Sequence, residues 1–168
     1  MTGPAVGDGL TAAAVHAAAA ARQIALPRPP VPLGAYAAAV RRGDVVALSG
    51  QLPLADGTLT HTGRVGVELT VAEGVAAARQ AALNVVAQIA AVLADGGTLV
   101  GLSRVDGYVA GGDDFTEQPT VLDGASALFV DLLGDEFGQH ARTAVGVCRL
   151  PMDAAVELGV TFLLGKDR

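Results

Sequence analysis

The stretch that most constrains this chain is TVAEGVAAARQAALNVVAQIAAVLADGG, residues 70–97. Thr70 with Glu73 three residues later is a capping box: the threonine hydroxyl accepts from the third helical N–H, and the glutamate reaches back to the threonine N–H. Gly96-Gly97 supplies the stop. Between them Leu83, Val86, Ile89, Ala90 and Leu93 recur at spacings of three and four, an apolar stripe that must lie on a sheet.

The 168 residues suffice for one domain with a single core. Hydrophobic residues make up 51% but aromatics only 4%, so that core is aliphatic and rich in alanine. Residues 1–9 read as a frayed end. Thr11 caps a short helix through Arg22, nearly all alanine and low in bulk, which reads as an addition rather than a core element. Prolines at 27, 29, 30 and 32 enforce an extended connector. The expected organisation is therefore an extension, 1–31, and a single domain, 32–168.

Two β-like runs, Tyr36–Arg41 and Val45–Gln51, flank an Arg-Gly-Asp turn, and Asp56-Gly57 marks another turn. A strand is expected over Leu102–Ala110. A second helix follows, with Pro119 near its start and Gly134 at its stop. Gly124 within it predicts close packing, since an interior glycine costs about 1 kcal/mol relative to alanine. Two last runs surround Leu150-Pro151-Met152-Asp153 and read as a hairpin. The order β-β-α-β-α-β-β describes an α+β layer with both helices on one sheet face.

Each of the last two runs carries a charge ill-suited to a buried strand, Arg142 and Glu157. If Pro151-Met152 is a two-residue loop, alternation puts both on one face among Ala144, Gly146, Cys148 and Gly159. Such a face of small residues suits close approach by another subunit or a ligand. Arg142 could hold a carboxylate with its planar fork, and Glu157 could position water. The competing interpretation is an interface ion pair or rim charges. His140 reads as exposed loop, and Cys148 as an inert small residue.

Several classes are disfavoured. Net charge is −6, and Lys166 is the single lysine, a poor match for a polyanion. No nucleic-acid partner is expected. Three scattered histidines and one cysteine make a poor metal inventory. No uncharged apolar run suggests a membrane span, no basic-then-apolar start suggests a signal peptide, and the lone cysteine agrees with a reducing compartment. The expected location is the cytoplasm.

The motifs PLGAY (32–36), VVALSGQLPL (45–54), the alanine-rich helix, ARTAVGVCRLP (141–151) and AAVEL (154–158), in this order, resemble the YjgF/YER057c/UK114 family, whose best-understood members are the Rid enamine/imine deaminases. GGDDFTEQPTVLDGASALFVDLLGDEFGQHART resembles a longer branch often labelled putative endoribonuclease. The resemblance implies a chorismate-mutase-like fold, a mixed sheet with two helices on one face. It also implies a homotrimer with the sheets inward and ligand clefts between neighbours. By the same resemblance Arg142 grips the substrate carboxylate and Glu157 helps hold the attacking water. Tyr36 and Gly50 line the cleft, and Ala144 contributes its carbonyl. No cofactor is implied, and a small carboxylate-bearing imine would become a 2-oxo acid and ammonia.

The chain departs from the family pattern at Ala144, where deaminases commonly carry Cys or Ser, and at Gly159, where many members have a second Glu. The loop before Arg142 is also longer. Two other readings remain open: a trimeric binding protein for a small carboxylate or keto acid, and an endoribonuclease, which the acidic charge and the lack of a catalytic histidine pair disfavour.

Overall fold

The computed structural model describes residues 9–32 and 34–165. Most of the stretch expected to fray, and Leu33 of the PLGAY motif, lie outside the described residues.

The first helix, α1 (Ala12–Ala21), is capped by Thr11, whose hydroxyl accepts from the Ala14 N–H. Strands β1 (Ala39–Arg42) and β2 (Val45–Gln51) are joined through a turn in which Gly43 adopts φ 61°. The short strands β3 (Leu54–Ala55) and β4 (Thr58–Leu59) pair around Asp56 (φ 50°) and Gly57 (φ 79°). Positive φ at both central positions is what a two-residue hairpin loop requires.

Then come α2 (Val71–Ala94), β5 (Thr98–Ala110), α3 (Gln118–Gly138), β6 (Ala141–Val147) and β7 (Val156–Gly165). The main sheet runs β1-β2-β7-β5-β6, with β5 and β6 parallel and the other pairs antiparallel. This is the mixed α+β architecture expected from the sequence.

Helix α2 begins as its sequence dictates. Thr70 Oγ1 accepts from the Glu73 N–H at 3.2 Å, and Glu73 Oε2 accepts from the Thr70 N–H at 2.7 Å. Val86, Ile89, Ala90 and Leu93 are buried against the core. By length and composition α2 could cross a membrane, but 61% of its apolar stretch is buried inside this fold, where it serves as the central core helix. Gly124 lets α3 approach α2, because a Cβ there would run into the Val75 carbonyl. Helix α3 does not stop at Gly134, which bends the chain (φ 80°, ψ 165°) before one more turn.

Three expectations need correction. Helix α1 belongs to the core: Val15 is 0% and Ala19 2% exposed, and Arg22 on its C-cap pairs with Asp131 of α3 at 2.7 Å. Alanine surfaces let helices approach closely, so little bulk is needed to seal the contact.

The last two runs form no hairpin. Strand β5 lies between β6 and β7, pairing Val109 with both Gly146 and Val156. Residues 148–155 therefore cross the end of β5, a gap of about 10 Å at ordinary strand spacing. They do so through a 3-10 turn at Pro151–Asp153, with Met152 and Asp153 at positive φ.

That topology separates the two charges. Cross-strand partners share a face, and Arg142 is in register with Val105, itself paired with buried Val160. Glu157 is in register with Tyr108 and, through it, Val145. Arg142, Ala144 and Gly146 thus face the helices, whereas Glu157 and Gly159 face the opposite, uncovered side. The small residues of β6 make room for α3, and a Cβ on Gly146 would sit 2.6 Å from Gln118 Nε2.

Candidate functional site

Glu157 stands in the open-face row of β7. Beside it, β2 departs from regular pairing with β7 between Leu48 and Gln51. This irregularity brings Gly50 against Glu157 so closely that a Cβ on residue 50 would overlap the carboxylate oxygen Oε1. Only glycine tolerates that approach.

Glu157, Gly50 and Tyr36 all line one cleft of about 270 Å³, roofed by Pro30, Val31 and Pro32 of the proline-rich connector. Three of the five site residues read from the sequence therefore meet. Arg142 and Ala144 do not join them within this chain.

Glu157 is half-buried, and its carboxylate has no hydrogen bond or ion pair with any described residue. Burial alone pushes its carboxyl above the ordinary value of 4.5. A carboxylate desolvated on one side and open to a cleft on the other suits holding water and taking up its proton.

Arg142 is occupied elsewhere. Its Nη1 donates to Asp123 Oδ1 and to Ser126 Oγ, both at 2.9 Å, and its Nη2 donates to the Pro119 carbonyl at 3.2 Å. All three partners lie on α3. His140 joins this cluster instead of lying in an exposed loop. It is half-buried, stacked edge-on against Phe129 at 5.6 Å, and its Nδ1 lies 2.7 Å from the Gly138 carbonyl. A proton on Nδ1 leaves Nε2 to accept from Ser126, 3.0 Å away, so a neutral ring satisfies both contacts. Burial holds its pKa below the ordinary imidazole value.

The sequence reading missed a polar stripe on α2. Gln80, Asn84 and Gln88 recur every four residues in an otherwise apolar helix, a spacing that puts all three on one face. Gln80 Nε2 donates to the Leu54 carbonyl at 2.8 Å, and Asn84 Nδ2 to Leu52 and Leu54 at 2.8 and 2.9 Å. Gln88 Nε2 donates to the Pro30 carbonyl at 2.6 Å. These amides fix the cleft roof and floor to the core helix. The signal was legible as three amides at helical period.

On the open face an Arg104–Asp106–Thr143 cluster lies on β5 and the edge strand β6, with Arg104 Nε at 2.8 Å from Asp106 Oδ1 and Nη2 at 2.7 Å from Thr143 Oγ1. On the same face Val40, Val45, Tyr108, Val145 and Leu163 stay exposed. Among the described residues no three His, Cys, Asp or Glu side chains gather as metal ligands.

Comparison with known proteins places this arrangement. A family model described as "YjgF/chorismate_mutase-like, putative endoribonuclease" matches residues 16–164. Protein TCP17 of Trypanosoma cruzi is 44% identical over 135 residues, covering 80% of this chain and 84% of that protein. Among solved structures, Atu1372 of Agrobacterium tumefaciens, described as of unknown function, aligns with TM-score 0.79 at 32% identity, covering 92% of this chain and 94% of that one. A Shewanella oneidensis protein described as a putative endoribonuclease aligns with TM-score 0.83 at 29% identity, covering 89% and 99%.

Proposed function

This chain belongs to the YjgF/chorismate-mutase-like family, and we propose that it is a cofactor-independent imine deaminase working at the Glu157 cleft. The observation that carries the reading is the unpaired, half-buried Glu157 carboxylate set against Gly50 and opening into a cleft beside Tyr36.

The chemistry follows from that placement. A water held by Glu157 adds to the imine carbon, its proton passing through the carboxylate to the imine nitrogen. The resulting carbinolamine gives up its hydroxyl proton to the nitrogen by the same route as the C–N bond breaks, so ammonia leaves and a 2-oxo acid remains. An imine carbon is already electrophilic, so enclosure and positioning supply much of the acceleration.

The substrate carboxylate is gripped by Arg142 of an adjoining copy, which exchanges Asp123 for the ligand. The exposed apolar residues of the uncovered sheet face support a homotrimer assembled through that face. The exposed free thiol of Cys148 supports a reducing, cytoplasmic setting.

A second reading, a binding protein for a small carboxylate, is favoured by the ion pair that occupies Arg142 within the chain. RNA is a poor substrate for a chain of net charge −6. The test generates 2-aminoacrylate with a pyridoxal-phosphate-dependent dehydratase and follows keto acid release. Release faster than in buffer, and lost in Glu157→Gln, supports the deaminase. Release no faster than in buffer transfers the assignment to the binding protein.

A further inference from the structure

The Glu157 cleft has a neighbour along the connector. A second cavity of about 620 Å³ adjoins it, and the two share Pro30, Val31 and Leu54 in their linings. The same α2 amides brace both: Gln88 holds Pro30, and Asn84 holds Leu54. The outer cavity is the larger of the two.

The charges are divided between these chambers. Among the described residues no arginine, lysine or histidine lines the inner one, where Glu157 is the ionisable acid. Arg28, between Pro27 and Pro29, lines the outer one. It makes no hydrogen bond or ion pair with any described residue, whereas Arg142 is held by three hydrogen bonds on the far side of the sheet. The flanking prolines limit backbone freedom at Arg28, so the ordering cost of receiving a ligand falls on its exposed side chain.

One feature on that wall opposes an anion. Asp56, at the β3–β4 turn, lines the outer cavity and repels it.

We infer that the ligand of this site carries a second anionic group at its far end, held by Arg28 in the outer cavity, so that the substrate class is an imino dicarboxylate rather than the smallest 2-imino acids. This rests on the deaminase reading for the position of the reacting carbon. A guanidinium paired with a carboxylate gives directional, charge-assisted hydrogen bonds, weakened here by Arg28's exposure to solvent.

The test is equilibrium binding of product analogues to the intact protein at low ionic strength, independent of turnover. The probes are 2-oxoglutarate, with a distal carboxylate, and 2-oxobutyrate, without one. Wild type binds 2-oxoglutarate more tightly. Arg28→Gln weakens that binding about fivefold and leaves 2-oxobutyrate unchanged, while Asp56→Asn strengthens 2-oxoglutarate binding. Equal binding of the two acids, binding of neither, or a preference that survives Arg28→Gln overturns the inference. A wild type that discriminates without hydrolysing imines keeps the ligand with a second anionic group at Arg28 and removes the deaminase. One that hydrolyses small imines without discriminating does the reverse.

Discussion

Arg142 and Asp123 are joined by a 2.9 Å ion pair across the β6–α3 contact, which turns the guanidinium away from Glu157. The pair is asymmetric in exposure: the arginine side chain is 22% exposed and the aspartate 71%.

That asymmetry separates two roles for Arg142. Arg142→Ala removes hydrogen bonds to Asp123, Ser126 and Pro119, and should cost about 1–2 kcal/mol after allowance for solvent screening. Asp123→Asn should cost less, because its carboxylate is largely solvated. If Arg142 of a neighbouring copy also grips substrate, Arg142→Ala raises KM while Asp123→Asn leaves it unchanged or lowers it. Denaturant midpoints and imine-hydrolysis kinetics on both variants check this. A KM unaffected by Arg142→Ala would leave the arginine a purely structural role.

Glu157 should show the opposite linkage to a paired acid. Its folded pKa is raised, so the native state favours the protonated form, and its contribution to stability falls as pH rises from the ordinary value of 4.5 through the folded pKa. Glu157→Gln should therefore melt higher than wild type at pH 7, with the difference shrinking toward pH 4. The same variant should lose about 10²–10⁴-fold in turnover if the carboxylate handles the proton of the attacking water. Melting curves across this pH range test the first outcome and steady-state rates the second.

Gly50→Ala puts a methyl group into the Glu157 carboxylate. Overpacking of this kind costs about 1–3 kcal/mol, and activity should fall with it because the carboxylate must move. Shortening the partner relieves the clash, so Gly50→Ala with Glu157→Asp should recover stability beyond the sum of the single changes. Thermal melts of the two single variants and the double variant measure that coupling.

Much of this architecture could be read locally. The capping box at Thr70 and Glu73, the buried stripe of α2 and the close approach at Gly124 each depend on neighbours in sequence or on one helix face. Tyr36, Gly50 and Glu157 were reached through motifs and do meet. That Arg142 and Glu157 lie on opposite faces was not legible, because it depends on which strand lies between β6 and β7. Leu150-Pro151-Met152-Asp153 carries no mark of a connection that steps over β5. The small side chains of helix α1 read as peripheral, though Val15 and Ala19 pack in the core. Arg28 has no signal in the sequence, since an arginine among prolines has no periodicity to flag it.

The uncovered sheet face should be the assembly surface. Val45 and Leu163 pair across β2 and β7 and are 44% and 37% exposed. Sedimentation should give wild type about three times the 16.7 kDa chain mass. Val45→Glu with Leu163→Glu should sediment as single chains, because facing carboxylates repel across a closed interface. Single chains of wild type at micromolar concentration would remove the trimer and, with it, the borrowed Arg142.

The most direct test of a water-handling Glu157 is the pH profile of imine hydrolysis, corrected at each pH for the uncatalysed rate. Wild type should show an acid limb, kcat/KM rising as one carboxyl loses its proton with an apparent pKa above 4.5, and Glu157→Gln should lack that limb. Profiles of the same shape and height in the two proteins would contradict it.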